Sequence, residues 1–201
     1  MFTKKIITSI LLSVFLIIGF SVTSYGKTPV EKMPEFQKYQ NLVFKSSDLN
    51  NYIIETRENS WRYNTDLNDN ETPLGAWEYA KGTKGKIINN FAVNQEIQST
   101  NKLIKLHIKY AVFSNTNEAH KAIIFHVKTI SVVMRTEPQF ESKLIQVPDE
   151  TYFATDGTAI IFRSKNICVL ISCYYGKNEK EEREITIKFA NQIIEKIEKI
   201  E

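Results

Sequence analysis

The feature that most constrains the fold is a strict alternation of apolar and polar residues over 104–110. Every second side chain is apolar: Ile104, Leu106, Ile108 and Tyr110. Lysines and a histidine, His107, stand between them. Side chains of a β-strand point to opposite faces in turn, so this segment predicts a strand with one buried face. A sheet of such strands needs a second layer to cover its apolar face.

Two amphipathic helices are predicted to cover the sheet. The first begins near Asn115, because Asn115 and Glu118 have the three-residue spacing of a capping box. Its apolar stripe contains Ala119, Ala122, Ile123, His126, Ile130 and Val133. The second follows Asn178, and its stripe contains Ile185, Phe189, Ile193, Ile197 and Ile200. Spacings of three and four residues place each stripe on one helix face.

The remaining strands are predicted from β-branched and aromatic content. They cover 52–56, 61–63, 75–81, 86–97, 158–162 and 167–174. The last two form a hairpin whose turn, 163–166, ends on Asn166, a residue type that tolerates positive φ. Pro138 and Pro148 bracket an irregular connector. Short turns imply antiparallel pairing, so the predicted class is α+β: an antiparallel sheet covered by two amphipathic helices, as a small sandwich.

The N-terminus predicts export. Lys4 and Lys5 precede an apolar stretch at 6–20, and Ser24 and Gly26 are small residues at the −3 and −1 positions of a cleavage site. An uncleaved anchor is the alternative, although the run is short of the roughly 20 apolar residues that a lone span needs. We therefore predict a signal peptide at 1–26, a polar tether at 27–46 and a single α+β domain at 47–201, located in the periplasm or outside the cell.

Cleavage after Gly26 is testable directly. The intact mass of the mature protein should correspond to a chain that begins at Lys27, because small residues at −3 and −1 fit the signal peptidase. A full-length chain retained in the membrane fraction would show that the segment is an anchor.

Charge excludes two classes of partner. Removing the two lysines of the signal peptide lowers the formal net charge from +3 to +1. No basic run stands out in the remainder. Nucleic acid and anionic membrane surfaces are recognised by clustered positive charge, so we predict neither as a partner, and no membrane span after cleavage.

The two cysteines, Cys168 and Cys173, lie in one predicted strand, five residues apart. An odd spacing places them on opposite faces, so an intramolecular disulfide would break the strand. An intermolecular disulfide is the alternative in an oxidising compartment.

The sequence contains no recognisable catalytic set. Of the three histidines, His107 lies on a polar strand face, His126 falls within an apolar helix stripe, and His120 is too far round that helix from His126 to share a metal ion. No Gly-x-Ser-x-Gly motif is present, and Cys168 has apolar neighbours that would raise its pKa. We therefore predict no catalytic residue, no metal site and no cofactor.

Aromatic residues provide the candidate binding site. Trp61 and Tyr63 project from one face of a predicted strand, and Trp77 and Tyr79 project from one face of another. Such pairs stack on sugar rings or line apolar pockets. They also pack in cores, which is the alternative here.

Three short motifs carry a resemblance. They are Glu118-Ala119 at the first helix, Asp149-Glu150 before the hairpin, and Phe162-Arg163 followed by Asn166 in its turn. Together they resemble uncharacterised exported bacterial proteins with a Gly-Asp-Glu element, an Arg-x-Gly-Asn hairpin turn and a C-terminal amphipathic helix.

The resemblance covers residues 103–200, and Pro148 and Lys165 stand where those proteins have glycine. It implies an exported bacterial origin and a small α+β sandwich similar to PsbP-type domains. It implies no catalytic residue.

Two hypotheses of function follow. The first is a non-enzymatic binding domain at the bacterial cell envelope, whose partner is an envelope protein or a small ligand. The second is an envelope hydrolase whose histidine and carboxylate are brought together by the fold. A pocket that collects His107, His126 or Asp149 would favour the hydrolase, and an aromatic groove would favour binding.

Overall fold

The computed structural model describes residues 30–55, 62–63, 91–129 and 134–200 of the 201-residue chain. For residues 31, 62, 63 and 129 it describes the backbone alone. The signal peptide, the predicted strand at 75–81 and the first part of the strand at 86–97 lie outside the described residues.

Eight strands of the described chain form one sheet. In chain order they are β1 (Tyr52–Glu55), β2 (Arg62–Tyr63), β3 (Phe91–Ser99), β4 (Lys105–Val112), β5 (Met134–Arg135), β6 (Glu150–Ala154), β7 (Ala159–Ser164) and β8 (Ile167–Tyr174). The order across the sheet is β1-β3-β4-β8-β7-β6-β5, with β2 also beside β3. Every pairing is antiparallel.

The described ranges also contain three α-helices. They are α1 (Thr116–Thr129), α2 (Pro138–Glu141) and α3 (Glu179–Glu198). Asn115 caps α1 by accepting a hydrogen bond from the Glu118 amide at 3.0 Å, and Asn178 caps α3 from the Glu181 amide at 3.0 Å. Both predicted helix starts are therefore confirmed, and so is the α+β class. No helix in the described ranges is long and apolar enough to cross a membrane.

The longer helices pack on different faces of the sheet. Phe189 and Ile193 of α3 are buried in one apolar cluster with Phe162 of β7. Ile123 of α1 is buried in a second cluster with Ile161, the residue beside Phe162 on the same strand. Since neighbouring residues of a strand point to opposite faces, α1 and α3 contact opposite sides of β7. β4 also has the predicted alternation of buried and half-buried residues.

The segment predicted as a polar tether packs into the core instead. Three 3-10 turns, Val30–Lys32, Pro34–Tyr39 and Ser46–Asp48, run along it. Phe36, Leu42 and Phe44 are each at most 2% exposed. These apolar residues follow neither a helical nor a strand period, so the polar composition of the segment suggested a tether. The segment packs into the domain because these single side chains are buried. The described part of 27–46 belongs to the folded domain.

Lys196 of α3 binds this segment. Its ammonium group donates to the Asp48 carboxylate at 2.8 Å and to the Val43 carbonyl at 3.4 Å. The hydrogen bond from Lys196 holds the pKa of Asp48 below its usual value. The ion pair therefore favours the folded state most above the pH range in which unfolded aspartate titrates, and this contribution falls as Asp48 protonates at lower pH.

Two local predictions between 138 and 166 are corrected. The irregular connector contains α2, and β6 follows it directly at Glu150, where no strand was predicted. In the β7–β8 turn the positive φ, +54°, falls on Lys165 and not on Asn166. Asn166 instead uses its side chain to bond neighbouring segments.

The cysteine prediction is confirmed. Cys168 packs in the cluster around α1 and Cys173 in the cluster around α3, so the two thiols lie on opposite faces of β8. Both are buried and neither forms a disulfide.

Candidate functional site

An open cleft of about 450 Å³ lies at one end of the sheet. The 3-10 turn at Pro34–Tyr39 forms one wall, and the β7–β8 turn contributes Asn166 to the other. Phe91 of β3 and the chain that leaves β4 at 112–114 complete it. Its volume falls within the range of roughly 300–1,000 Å³ that is common for ligand sites.

The floor of the cleft is aromatic. Tyr39, Phe91 and Phe113 are each at most 5% exposed. The ring centroids of Tyr39 and Phe91 are 6.1 Å apart, and Phe36 supports Phe91 from beneath at 5.3 Å. Tilted rings at these distances pack favourably against one another, and only a small part of each ring is exposed at the floor.

Asn166 ties the walls together. Its side-chain nitrogen donates to the Phe113 carbonyl at 2.6 Å and to the Tyr39 hydroxyl at 3.3 Å. Its backbone carbonyl accepts from the Phe113 amide at 2.9 Å. One residue thus joins the N-terminal segment, the exit of β4 and the β7–β8 turn around the cleft.

The rim is polar. Glu35, Gln37, Lys38 and Ser114 are exposed residues of the lining. The Lys38 ammonium lies 5.3 Å from the centroid of the Tyr39 ring, which favours a cation–π interaction. A ligand in this cleft would meet an apolar floor, hydrogen-bonding groups and one charge of each sign at the edge.

A charged cluster supports the β7–β8 turn from behind. Arg163 donates through Nη1 to the Asp149 carboxylate at 2.9 Å and through Nε to Glu150. The same Asp149 oxygen accepts from the Lys165 amide at 2.8 Å, and Arg163 also donates to the Lys165 carbonyl at 2.9 Å. His120 contacts Glu150 through Nδ1 at 2.9 Å.

This cluster fixes the position of Asn166, since Lys165 is bonded at both its amide and its carbonyl. Three residues of the motifs that carry the resemblance, Asp149, Glu150 and Arg163, therefore lie together at this turn. Asp149 and Glu150 bind Arg163, and helix α1 contributes His120. Their role in this structure is to position a cleft wall. No group of three or more metal-ligating side chains occurs in the described ranges.

The aromatic residues predicted to bind ligand cannot be placed around the cleft. Trp61, Trp77 and Tyr79 lie outside the described residues. Tyr63 is in β2, and its backbone pairs with Phe91, a residue of the cleft floor. Its side chain is not described.

The histidines occupy three separate places. His107 lies beside Glu96 at 3.4 Å on the polar face of β4, as predicted. His126 is 3% exposed within the α1 stripe, which confirms a core position. His120 pairs with Glu150, a partner 30 residues away that helical spacing could not suggest. None of the three lines the cleft.

No sequence pattern indicated the residues that line the cleft. Tyr39 lay in the segment taken for a tether, and Asn166 was noted only as a turn residue. The available signal was the pair Phe36 and Tyr39 after Pro34, a spacing of three that places both rings on one face of a 3-10 turn.

The buried thiols provide a pH-dependent test. Burial raises the pKa of Cys173 to about 12 and that of Cys168 well above its usual value. Because the thiolate is the reactive form, alkylation at pH 8 should be much slower in the native protein than in the unfolded chain. Counting with a thiol reagent at pH 8 should give two groups in denaturant. Fast native labelling of either cysteine would contradict the packing of β8.

Comparison of the chain with protein-family models, with curated proteins and with solved structures found no match.

Proposed function

We propose that the chain is an exported binding domain of the bacterial cell envelope, which holds a small ligand in the cleft and performs no chemistry on it. The observation that carries the proposal is the aromatic floor beneath a polar rim. Such a combination provides affinity through apolar contact and orientation through a few polar groups.

The rim selects the kind of ligand. Lys38 and Glu35 carry opposite charges, and Ser114 and Gln37 offer hydrogen-bonding groups. The floor accepts a flat or aliphatic part. A small amphiphilic molecule with polar ends fits this pattern better than a polyanion, which Glu35 would repel.

We also propose that the fold is a small sandwich similar to PsbP-type domains, in which α1 and α3 cover the two faces of the sheet. The support is the packing of Ile123 against one face and of Phe189 against the other. Export rests on the signal-peptide pattern at 1–26, and a location in the periplasm or outside the cell follows from it.

The hydrolase alternative has weaker support. It requires a histidine and a carboxylate in a pocket. His120 and Glu150 are paired, but the His120 side chain is 54% exposed and Arg163 already binds Glu150. A general base works best where the substrate can be enclosed beside it, and this pair lies behind the cleft wall.

A screen of small amphiphilic fragments by two-dimensional NMR tests the binding proposal. Fragments that bind should shift the backbone amides of Lys38, Ser114 and Asn166, which belong to three different walls. Fragments that bind only elsewhere, or none that bind, would contradict the proposal.

A variant that fills the cleft sharpens the test. Ser114→Tyr places a ring in the opening, so we expect fragment affinity to fall at least about tenfold, which corresponds to about 1.4 kcal/mol. Ser47→Tyr is the matched control, because Ser47 is also exposed on the N-terminal side but does not line the cleft. Equal affinities of the two variants would place the bound fragment outside the cleft.

A further inference from the structure

The sheet face that α1 contacts also carries polar and aromatic side chains of β3, β4 and β8, away from the apolar cluster around α1. His107 stands opposite Glu96 on one side and Ser172 on the other, and Lys105 stands between Gln98 and Tyr174. This patch, which we name the tyrosine patch, consists of Glu96, Lys105, His107, Tyr174 and Tyr175. None of these five residues lines the cleft.

The polar side chains of the patch are organised around one carboxylate. Lys105 donates to Glu96 at 2.7 Å, and the His107 Nδ1 atom lies 3.4 Å from the other Glu96 oxygen. The hydrogen bond from Lys105 holds the pKa of Glu96 below its usual range, so the carboxylate is charged at neutral pH. All three side chains remain between a quarter and about a third exposed. They can therefore exchange hydrogen bonds with a ligand.

Two tyrosines stand beside this group. Tyr174 is 46% exposed and Tyr175 is 75% exposed, and their ring centroids are 6.4 Å apart with planes tilted by 48°. The His107 ring meets Tyr174 edge-on at 5.3 Å. Two large aromatic rings that are exposed side by side favour contact with another molecule, because such contact would bury their apolar area.

The backbone displays Tyr175 at some cost. Its φ is +66°, a left-handed conformation that is uncommon for a bulky residue. The chain immediately after it is held, because the Gly176 amide donates to Glu182 at 2.7 Å and the Lys177 amide to Glu181 at 2.6 Å. Strain that the surroundings maintain is typical of functional positions.

We propose that the tyrosine patch binds a pyranose-containing oligosaccharide. The C–H face of a pyranose ring carries slight positive charge and stacks on the negative face of an aromatic ring. Carboxylate oxygens accept hydrogen bonds from neighbouring sugar hydroxyls, and lysine donates to others. Two tyrosines 6.4 Å apart offer stacking positions for successive sugars.

Other partners fit less well. A nucleic acid would be repelled by Glu96 and by Glu55, whose backbone pairs with it across β1 and β3. An apolar peptide or a lipid would bury the charged Glu96 and Lys105 without replacing their contacts with water. An uncharged polyhydroxylated ligand satisfies both the rings and the charges. The inference is independent of the proposed ligand of the cleft.

Titration of the mature protein with cellotetraose, chitotetraose and maltotetraose tests the proposal. At least one should bind with a dissociation constant below about 10 mM and shift the backbone amides at 174–176 in NMR spectra. Tyr175→Ala should weaken that binding at least tenfold, and Tyr175→Phe, which keeps the ring, should retain most of it. Glu96→Gln, which keeps the shape but removes the charge, should weaken it several-fold.

Ser114→Tyr serves as the control, because it alters the cleft and leaves the patch intact. It should bind the sugar like the unaltered protein, and thermal melts should show that every variant is folded. Absence of binding for all three sugars, or equal binding by Tyr175→Ala and the unaltered protein, would overturn the proposal. Loss of binding in Ser114→Tyr alone would do so as well, because it would assign the sugar to the cleft.

Discussion

Replacing Phe189 with alanine is expected to lower the free energy of unfolding by about 3–5 kcal/mol, since a buried ring is removed and a cavity remains. Phe189 is 1% exposed at the middle of the α3 stripe. Its ring lies 5.2 Å from Phe44 and 5.3 Å from Tyr52, both edge-on. One side chain therefore joins α3 to β1 and to the N-terminal segment. The total free energy of unfolding of a small domain is roughly 5–15 kcal/mol, so this loss would be a large share of it.

Glu195→Ala is the matched control in the same helix. Glu195 is exposed between stripe positions, and its removal should change stability by less than about 0.5 kcal/mol. Urea denaturation followed by circular dichroism measures both variants. If both substitutions changed the free energy of unfolding equally little, α3 would contribute little to the core, and its packing on the sheet would be wrong.

The parts of the fold that the sequence predicted are those with a repeated local pattern. The alternation at 104–110 gave β4, and the spacing from Ile185 to Ile197 gave the buried face of α3. The caps at Asn115 and Asn178 were visible because an asparagine acts on the amide three residues later. In each case the deciding interaction lies within a few residues of the signal.

The missed elements depend on distant partners. The segment 30–46 is held by Lys196 and by Gln95, and neither contact leaves a local pattern. Strand β6 has only five residues and follows Pro148 and Asp149, which indicate a loop. Its pairing with β7 through Glu150 and Arg163 is what makes it a strand.

The candidate sites depend even more on residues that are distant in the sequence. The cleft floor combines Tyr39, Phe91 and Phe113, whose positions span more than 70 residues of the sequence. The tyrosine patch needs the register between β3, β4 and β8 before Glu96 can be placed beside His107. No spacing rule connects these residues, so the sequence identified single candidates such as His107 but not their neighbours.

Substitution of Gln95 should also lower stability strongly, because its side chain makes the hydrogen bonds to the Phe44 backbone that a neighbouring strand would otherwise make. Gln95 is fully buried on the core face of β3. Its amide nitrogen donates to the Phe44 carbonyl at 3.0 Å, and its amide oxygen accepts from the Phe44 amide at 2.9 Å. The Tyr110 hydroxyl donates to the same oxygen at 3.2 Å. A single side chain thus pairs the N-terminal segment to the sheet as a neighbouring strand would.

Gln95→Leu should therefore lower the free energy of unfolding by at least about 3 kcal/mol, although leucine is apolar and of similar size. Leucine leaves the Phe44 amide, the Phe44 carbonyl and the Tyr110 hydroxyl buried without the bonds that Gln95 made, and each such group costs about 1–3 kcal/mol. The loosened segment should also expose 30–46 to limited proteolysis, since local opening precedes cleavage.

Gln98→Leu is the control that isolates this effect. Gln98 lies on the same strand but on the opposite face, where it is half-buried. The same substitution there removes no pairing with Phe44, so stability should change by about 0.5 kcal/mol or less and the protease should cut at the original sites. Should Gln95→Leu prove as stable and as protease-resistant as Gln98→Leu, the N-terminal segment would be held by its apolar side chains and by Lys196, without a contribution from Gln95. The cleft wall it forms would then not depend on the pairing with Gln95.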